Sequence, residues 1–178
     1  TTLLNRLLTD PFFDGVSMVP IPAYGPNAWY VNDTSTTNDS YCTAVGNDNN
    51  SGLFPWAPKL TLSTVIGLLT GGDTIYVDVG DYTCNTDIAI AKDSVWIIGA
   101  DSGGTYQTKL DFGDSSATDH YLRTPNDSVT IKNLKIVNAY YGIYLQGADN
   151  CTIDNVTIHS GENIGIYLSQ NGTDYSES

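Results

Sequence analysis

The 178 residues leave room for one domain with a real core, or for one domain and an appendage. With 20 acidic and 7 basic side chains the net charge is −13, so any phosphate-binding surface would work against the field of the whole molecule, and nucleic acid is disfavoured as a partner. Polarity comes from Asp, Asn, Ser, Thr and Gly, which compete with helical backbone bonds, and no apolar run approaches the roughly 20 residues of a membrane span.

The chain opens Thr1-Thr2-Leu3 without the start of a signal peptide, which reads as a targeting segment removed or never present, or as a fragment. Leu3, Leu4, Leu7 and Leu8 fall on one face of a short helix that Asp10-Pro11 ends. Too short to be stable alone, this helix needs an apolar host and is read as an assembly element. Residues 11–28, punctuated by Pro11, Gly15, Pro20, Pro22, Gly25 and Pro26, read as an extended arm. Trp29-Tyr30-Val31 reads as a strand, residues 32–40 as a solvated loop, and Gly46 to Gly52 as turn chemistry. Leu62, Val65, Ile66 and Leu69 have helical spacing, predicting about three turns stopped by Gly71-Gly72. Short β runs follow, over 74–79, 87–91, 94–98, 108–112, 120–123, 128–132, 134–137, 142–145, 151–153, 156–158 and 164–168, with Gly, Asn or Asp between them.

A sandwich, a barrel and a solenoid all fit such punctuation, and self-similarity separates them. Thr130-Ile131-Lys132-Asn133-Leu134-Lys135-Ile136 aligns with Thr152-Ile153-Asp154-Asn155-Val156-Thr157-Ile158 at an offset of 22 residues. Gly142-Ile143-Tyr144-Leu145 aligns with Gly165-Ile166-Tyr167-Leu168 at an offset of 23. One coil of a parallel β-solenoid has this length, and coils stacked at about 4.8 Å place like residues above one another. The expectation is coils of 22–23 residues over 74–168, with Asn133 above Asn155 and Tyr144 above Tyr167.

The order of signals resembles the right-handed parallel β-helix, or pectate-lyase-like, family. The carrying residues are the Tyr-Val strand, Gly46-Asn47-Asp48 with Asn50 and Gly52, Pro58, the helix from Thr61 to Leu69, Gly72-Asp73-Thr74-Ile75-Tyr76-Val77 and Gly80-Asp81-Tyr82. The resemblance covers residues 29–178 and implies an all-β, single-stranded parallel β-helix with an N-terminal capping helix. It divides the chain into a helix and arm (1–28), a cap (29–72) and coils (73–178), the coils truncated or continued by another subunit. Asn133 and Asn155 look like the family's asparagine ladder at a tight turn, where Asn tolerates a left-handed backbone. On that reading the sequon at Asn155 points inward, while those at Asn32, Asn38, Asn126 and Asn171 lie in loops open to glycosylation.

Lyases of the family pair an Arg or Lys base with calcium-holding carboxylates. Arg123, His120 and Asp119, or Lys132 and Lys135 near Asp127, form no convergent set of that kind, so no catalytic residue is assigned. Asp48 and Asn50 sit in a run with the oxygen density of a calcium loop, with calcium as the candidate ion. Alternation that turns Ile143, Leu145, Ile166 and Leu168 inward turns Tyr144 and Tyr167 outward. Together with Tyr140 and Tyr141 they form a candidate platform for polysaccharide or a protein neighbour. Cys42, Cys84 and Cys151 fit either a Cys42–Cys84 bridge with one free thiol or three small buried hydrophobes. The resulting expectation is an extracellular or cell-surface structural or adhesive module, self-associating head to tail into a filament or layer. A polysaccharide lyase is the first alternative and a non-catalytic glycan-binding module the second.

Overall fold

A computed structural model of the protein describes residues 28–101, 107–113, 121–159 and 164–169. Leu3, Leu4, Leu7 and Leu8 lie outside the described residues. The elements are β1 (Ala28–Val31), α1 (Leu62–Ile66), β2 (Thr74–Val77), β3 (Gly80–Thr83), β4 (Ile88–Ala89) and β5 (Trp96–Gly99). They continue as β6 (Thr108–Asp111), β7 (Leu122–Thr124), β8 (Thr130–Val137), β9 (Tyr141–Gln146), β10 (Thr152–His159) and β11 (Ile164–Ser169). No helix among the described residues is long and apolar enough to cross a membrane.

Every pair of these strands is parallel, and the pairs form three ladders. The first stacks β1, β2, β5 and the opening halves of β8 and β10, with Trp29, Ile75, Ile97, Ile131 and Ile153 in one column. The second stacks β3, β6 and the closing halves of β8 and β10, putting Tyr82, Leu110, Ile136 and Ile158 in a column. The third runs β4, β7, β9, β11, with Ile88, Leu122, Ile143 and Ile166 aligned. The chain is thus a parallel β-solenoid, and its core is these columns of β-branched and aliphatic side chains meeting along the axis.

The expected corner is present. Asn133 and Asn155 adopt φ of 56° and 50°, bending β8 and β10 from the first ladder to the second, and Asn155 Nδ2 donates to Asn133 Oδ1 at 3.0 Å. Gly99 lies beneath this corner, where a Cβ would stand 2.1 Å from the Asn133 carbonyl oxygen. Asn155 is exposed rather than inward, because it turns on the outside of the corner, where its amide also donates to Asp101. Asn32 departs from expectation in the opposite sense. It is fully buried, and its amide donates to Ser35 O, Asp39 Oδ2 and Ala44 O, so it is no open glycosylation site.

Two spacings differ from the sequence reading. The step from Ile75 to Ile97 and from Ile131 to Ile153 is 22 residues, but from Ile97 to Ile131 it is 34, because that coil carries longer connections after β5 and β6. The helix is five residues long rather than three turns. It buries Leu62 and Val65, and Leu69 reaches the core from the turn beyond it. Around β1 the chain folds back on itself: Tyr30 N donates to Gly52 O, Lys59 N to Tyr30 O, and Asn32 N to Lys59 O, so these groups of β1 are satisfied. Buried Asp78 pins the loop that follows, its carboxylate accepting from the backbone N–H groups of Ser40, Tyr41 and Cys42. Cys42, Cys84 and Cys151 are free thiols; the first two are buried as expected of small hydrophobes, and Cys151 is half-buried.

Candidate functional site

The third ladder builds an outward aromatic face. Leu122 and Ile143 point into the core, whereas Ile166 and Leu168, expected inward from the alternation, are 45% and 68% exposed because β11 is the end strand of its ladder; Arg123, Tyr144 and Tyr167 stand in register at the alternate positions. Tyr144 and Tyr167 have ring centroids 5.0 Å apart. Tyr141, at the start of β9, stacks on Tyr167 at 4.8 Å and 14°, and Tyr140 meets Tyr141 edge-on at 4.7 Å. All four tyrosines expected from the sequence converge. A fifth, Tyr121, joins them at 5.9 Å from Tyr141 and 5.7 Å from Tyr144. Sequence reasoning missed it because it precedes β7 in the long coil, whose spacing breaks the repeat.

All five rings are half-buried, so each offers part of its surface to solvent while its neighbours hold it. Tyr144 Oη and Ser169 Oγ share a hydrogen bond of 3.0 Å, fixing that ring across two coils. Desolvation, and after it the neighbouring Tyr140, holds the Tyr141 phenol above its ordinary value. Arg123, in register beside Tyr144, pairs with Asp87 Oδ2 through Nε. The surface therefore presents ring faces, ring edges and phenol hydroxyls on a rigid scaffold, suited to stacking and hydrogen bonding.

Asp48, Asn50 and Lys132 have structural partners. Asp48 Oδ1 accepts from Leu60 N and Thr61 N at 3.0 Å each, and Asp48 Oδ2 from Thr61 Oγ1 at 3.0 Å. Desolvation pushes its carboxyl up, but the hydrogen bonds from Thr61 and Leu60 outweigh it and hold the group below the usual carboxylate value. Asn50 donates its amide to Pro58 O at 2.9 Å, and Lys59 Nζ donates to Asp48 O at 2.8 Å. Asp48 and Asn50 thus close the loop from Gly46 to Gly52 onto the start of α1. Lys132 pairs with Asp154 across one coil at 2.7 Å, and His159 stands exposed over Val137.

A second aromatic group lies on the first ladder. Tyr30 stacks on Tyr76 at 5.5 Å, and Tyr41 leans on Tyr76 at 5.1 Å while donating from its hydroxyl to Gly99 O. The repeated Tyr-Val of Tyr30-Val31 and Tyr76-Val77 was its available sequence signal.

A family model described as the right handed beta helix region matches residues 84–176, more than half of the chain. Searches of curated proteins and of solved structures found no match. The matched segment spans β4 to β11, the part in which the parallel ladders stack coil on coil, and the chain belongs to the right-handed β-helix family.

Proposed function

We propose that this protein is an extracellular adhesive β-helix that grips a neutral glycan chain on the tyrosine face of its third ladder, without chemical turnover. The observation that carries the reading is the convergence of Tyr121, Tyr140, Tyr141, Tyr144 and Tyr167 on one outward surface. Pyranose rings offer C–H faces that stack on aromatic rings, and the phenol hydroxyls supply hydrogen bonds at the edges. Neutral rather than acidic glycan follows from the net charge of −13 and from the pairing of Arg123 with Asp87.

Affinity electrophoresis through gels containing glucomannan, xylan or polygalacturonate tests the reading. Retardation by at least one neutral polymer, weakened about tenfold in Tyr144→Ala/Tyr167→Ala, is the expected result. Equal mobility in every gel contradicts it, and release of unsaturated product from polygalacturonate would move the function to a lyase.

Self-association is a second reading, favoured by Ile164, Ile166 and Leu168 on β11, which are 44%, 45% and 68% exposed. In that reading the face at β11 is covered by another copy, and screening the negative charge with salt promotes it. Sedimentation velocity at low and high salt tests it: a species larger than the monomer at high salt is expected, and a monomer at both salts rejects it.

A further inference from the structure

A cleft of about 570 Å³ opens on another part of the molecule, where the chain leaving β1, the first turn of α1 and the corner between β3 and β4 meet. Small-molecule sites generally measure about 300–1,000 Å³. Its floor is Leu62, Tyr82, Cys84 and Ile88, none more than 5% exposed. Tyr82 turns its hydroxyl away to donate to Asp78 O at 3.0 Å. Desolvation, with a smaller push from Asp111, raises the Cys84 thiol to about 12, so the sulfur is a protonated, weakly polar part of the floor rather than a nucleophile.

The rim has the opposite character. Ser63, Thr83, Asn85 and Thr86 are exposed around it, with the carboxylates of Asp33 and Asp81. Asp33 is held in place: its Oδ1 accepts from Ser35 N at 2.6 Å, and its side chain lies over Gly80, where a Cβ would stand 2.5 Å from Oδ2. Asp81 pairs with Lys109 Nζ at 2.8 Å yet keeps 75% of its side chain exposed. No Lys, Arg or His is among the described residues lining the cleft.

We infer that this cleft binds a neutral sugar unit, of one or two rings, at a site independent of the tyrosine face. A sugar is apolar on the C–H faces of its ring and hydroxylated around its edge, and the cleft is apolar below and rimmed by hydroxyl, amide and carboxylate groups. Sugar hydroxyls donate to the Asp33 and Asp81 carboxylates in charge-assisted hydrogen bonds, while the Ser and Thr hydroxyls either donate or accept. An acidic sugar meets the Asp33 carboxylate with no Lys, Arg or His among the described lining residues to pair with, Lys109 being already engaged by Asp81.

Saturation-transfer NMR and calorimetry of the intact chain with maltose, cellobiose and digalacturonate test the inference. Maltose or cellobiose receives saturation, and digalacturonate does not. Thr86→Trp and Ser63→Trp, at exposed lining positions between β3 and β4 and on α1, weaken that binding about tenfold or more, while Tyr144→Ala leaves it unchanged. The inference is overturned if neither neutral disaccharide binds, if both tryptophan variants bind as well as the parent, or if digalacturonate binds equally tightly. Binding lost only in Tyr144→Ala assigns the sugar to the tyrosine face and removes it from the cleft.

Discussion

Two residues show how little freedom the asparagine corner and the loop after β1 leave. Gly99 is required by contact rather than by its own dihedral angles, since a methyl group there would meet the backbone oxygen of Asn133 at 2.1 Å. Gly99→Ala is therefore expected to cost about 2 kcal/mol or more in urea unfolding, as overpacking against backbone does. Asp39 is the contrary case, a residue whose charge works against folding. Its Oδ2 accepts from Asn32, whereas its buried Oδ1 has no hydrogen-bond partner among the described residues. Desolvation first, and then Asp78 and Asp33, raise its carboxyl above 3.8, against the Asn32 hydrogen bond. A raised folded value means the associated stability is present below the unfolded pKa and is lost as pH rises through the folded one. Asp39→Asn keeps the acceptor for Asn32 and removes the charge. It should melt a few degrees above the parent at pH 7, with the difference shrinking as pH falls towards 4 in thermal scans.

Turns that recur from coil to coil hold the elements in register. Asp127 N donates to Asp93 Oδ1 at 3.1 Å, and Asp149 N donates to Asp127 Oδ1 at 2.8 Å, so each carboxylate caps the coil above it. The next residue, Ser94, Ser128 or Asn150, is left-handed at φ of 59°, 58° and 56°. Asp127→Ala removes the acceptor for Asp149 N, and a loss of about 1 kcal/mol in urea unfolding is the expected outcome. Hydrogen bonds from Asn126 and Asp127 hold the Asp93 carboxyl below 3.8, so its contribution is present at neutral pH and fades as pH falls below that value. This ladder was written in the sequence as Asp93-Ser94-Val95 and Asp127-Ser128-Val129, but at a spacing of 34 that a search near 22 passes over. The asparagine corner and the Tyr144/Tyr167 pair were legible because their coils lack insertions, so identical chemistry recurs at nearly identical spacing. Apolar spacing overstated the helix for a different reason: Leu69 shares the periodicity of Leu62 and Val65 because it shares their core, although the chain reaches that core through a turn. The involvement of the Asp48 carboxylate with Leu60 and Thr61 was illegible, since it depends on how the loop from Gly46 to Gly52 folds back over the start of α1.

At the scale of the molecule, stacking converts a short repeat into two kinds of surface. Inward columns of Ile, Leu and Val leave the alternate positions of each strand facing out, and on one ladder Tyr144 and Tyr167 take such positions and gather Tyr121, Tyr140 and Tyr141 around them, with ring centroids 4.7–5.9 Å apart within and across coils. Such rings are positioned before any ligand arrives, which limits the ordering cost of binding. The first ladder supplies an internal comparison, because Tyr30, Tyr41 and Tyr76 also cluster but sit beside Ser40 and Pro55. The most direct test of the proposed glycan grip is ring-proton NMR of the tyrosine-labelled protein, titrated with a neutral oligosaccharide derived from whichever polysaccharide retards it most. Shifts of the Tyr121, Tyr141, Tyr144 and Tyr167 rings that saturate together, with Tyr30, Tyr41 and Tyr76 unmoved, are predicted. Shifts confined to Tyr30, Tyr41 and Tyr76, or no ring shift at saturating oligosaccharide, would contradict it.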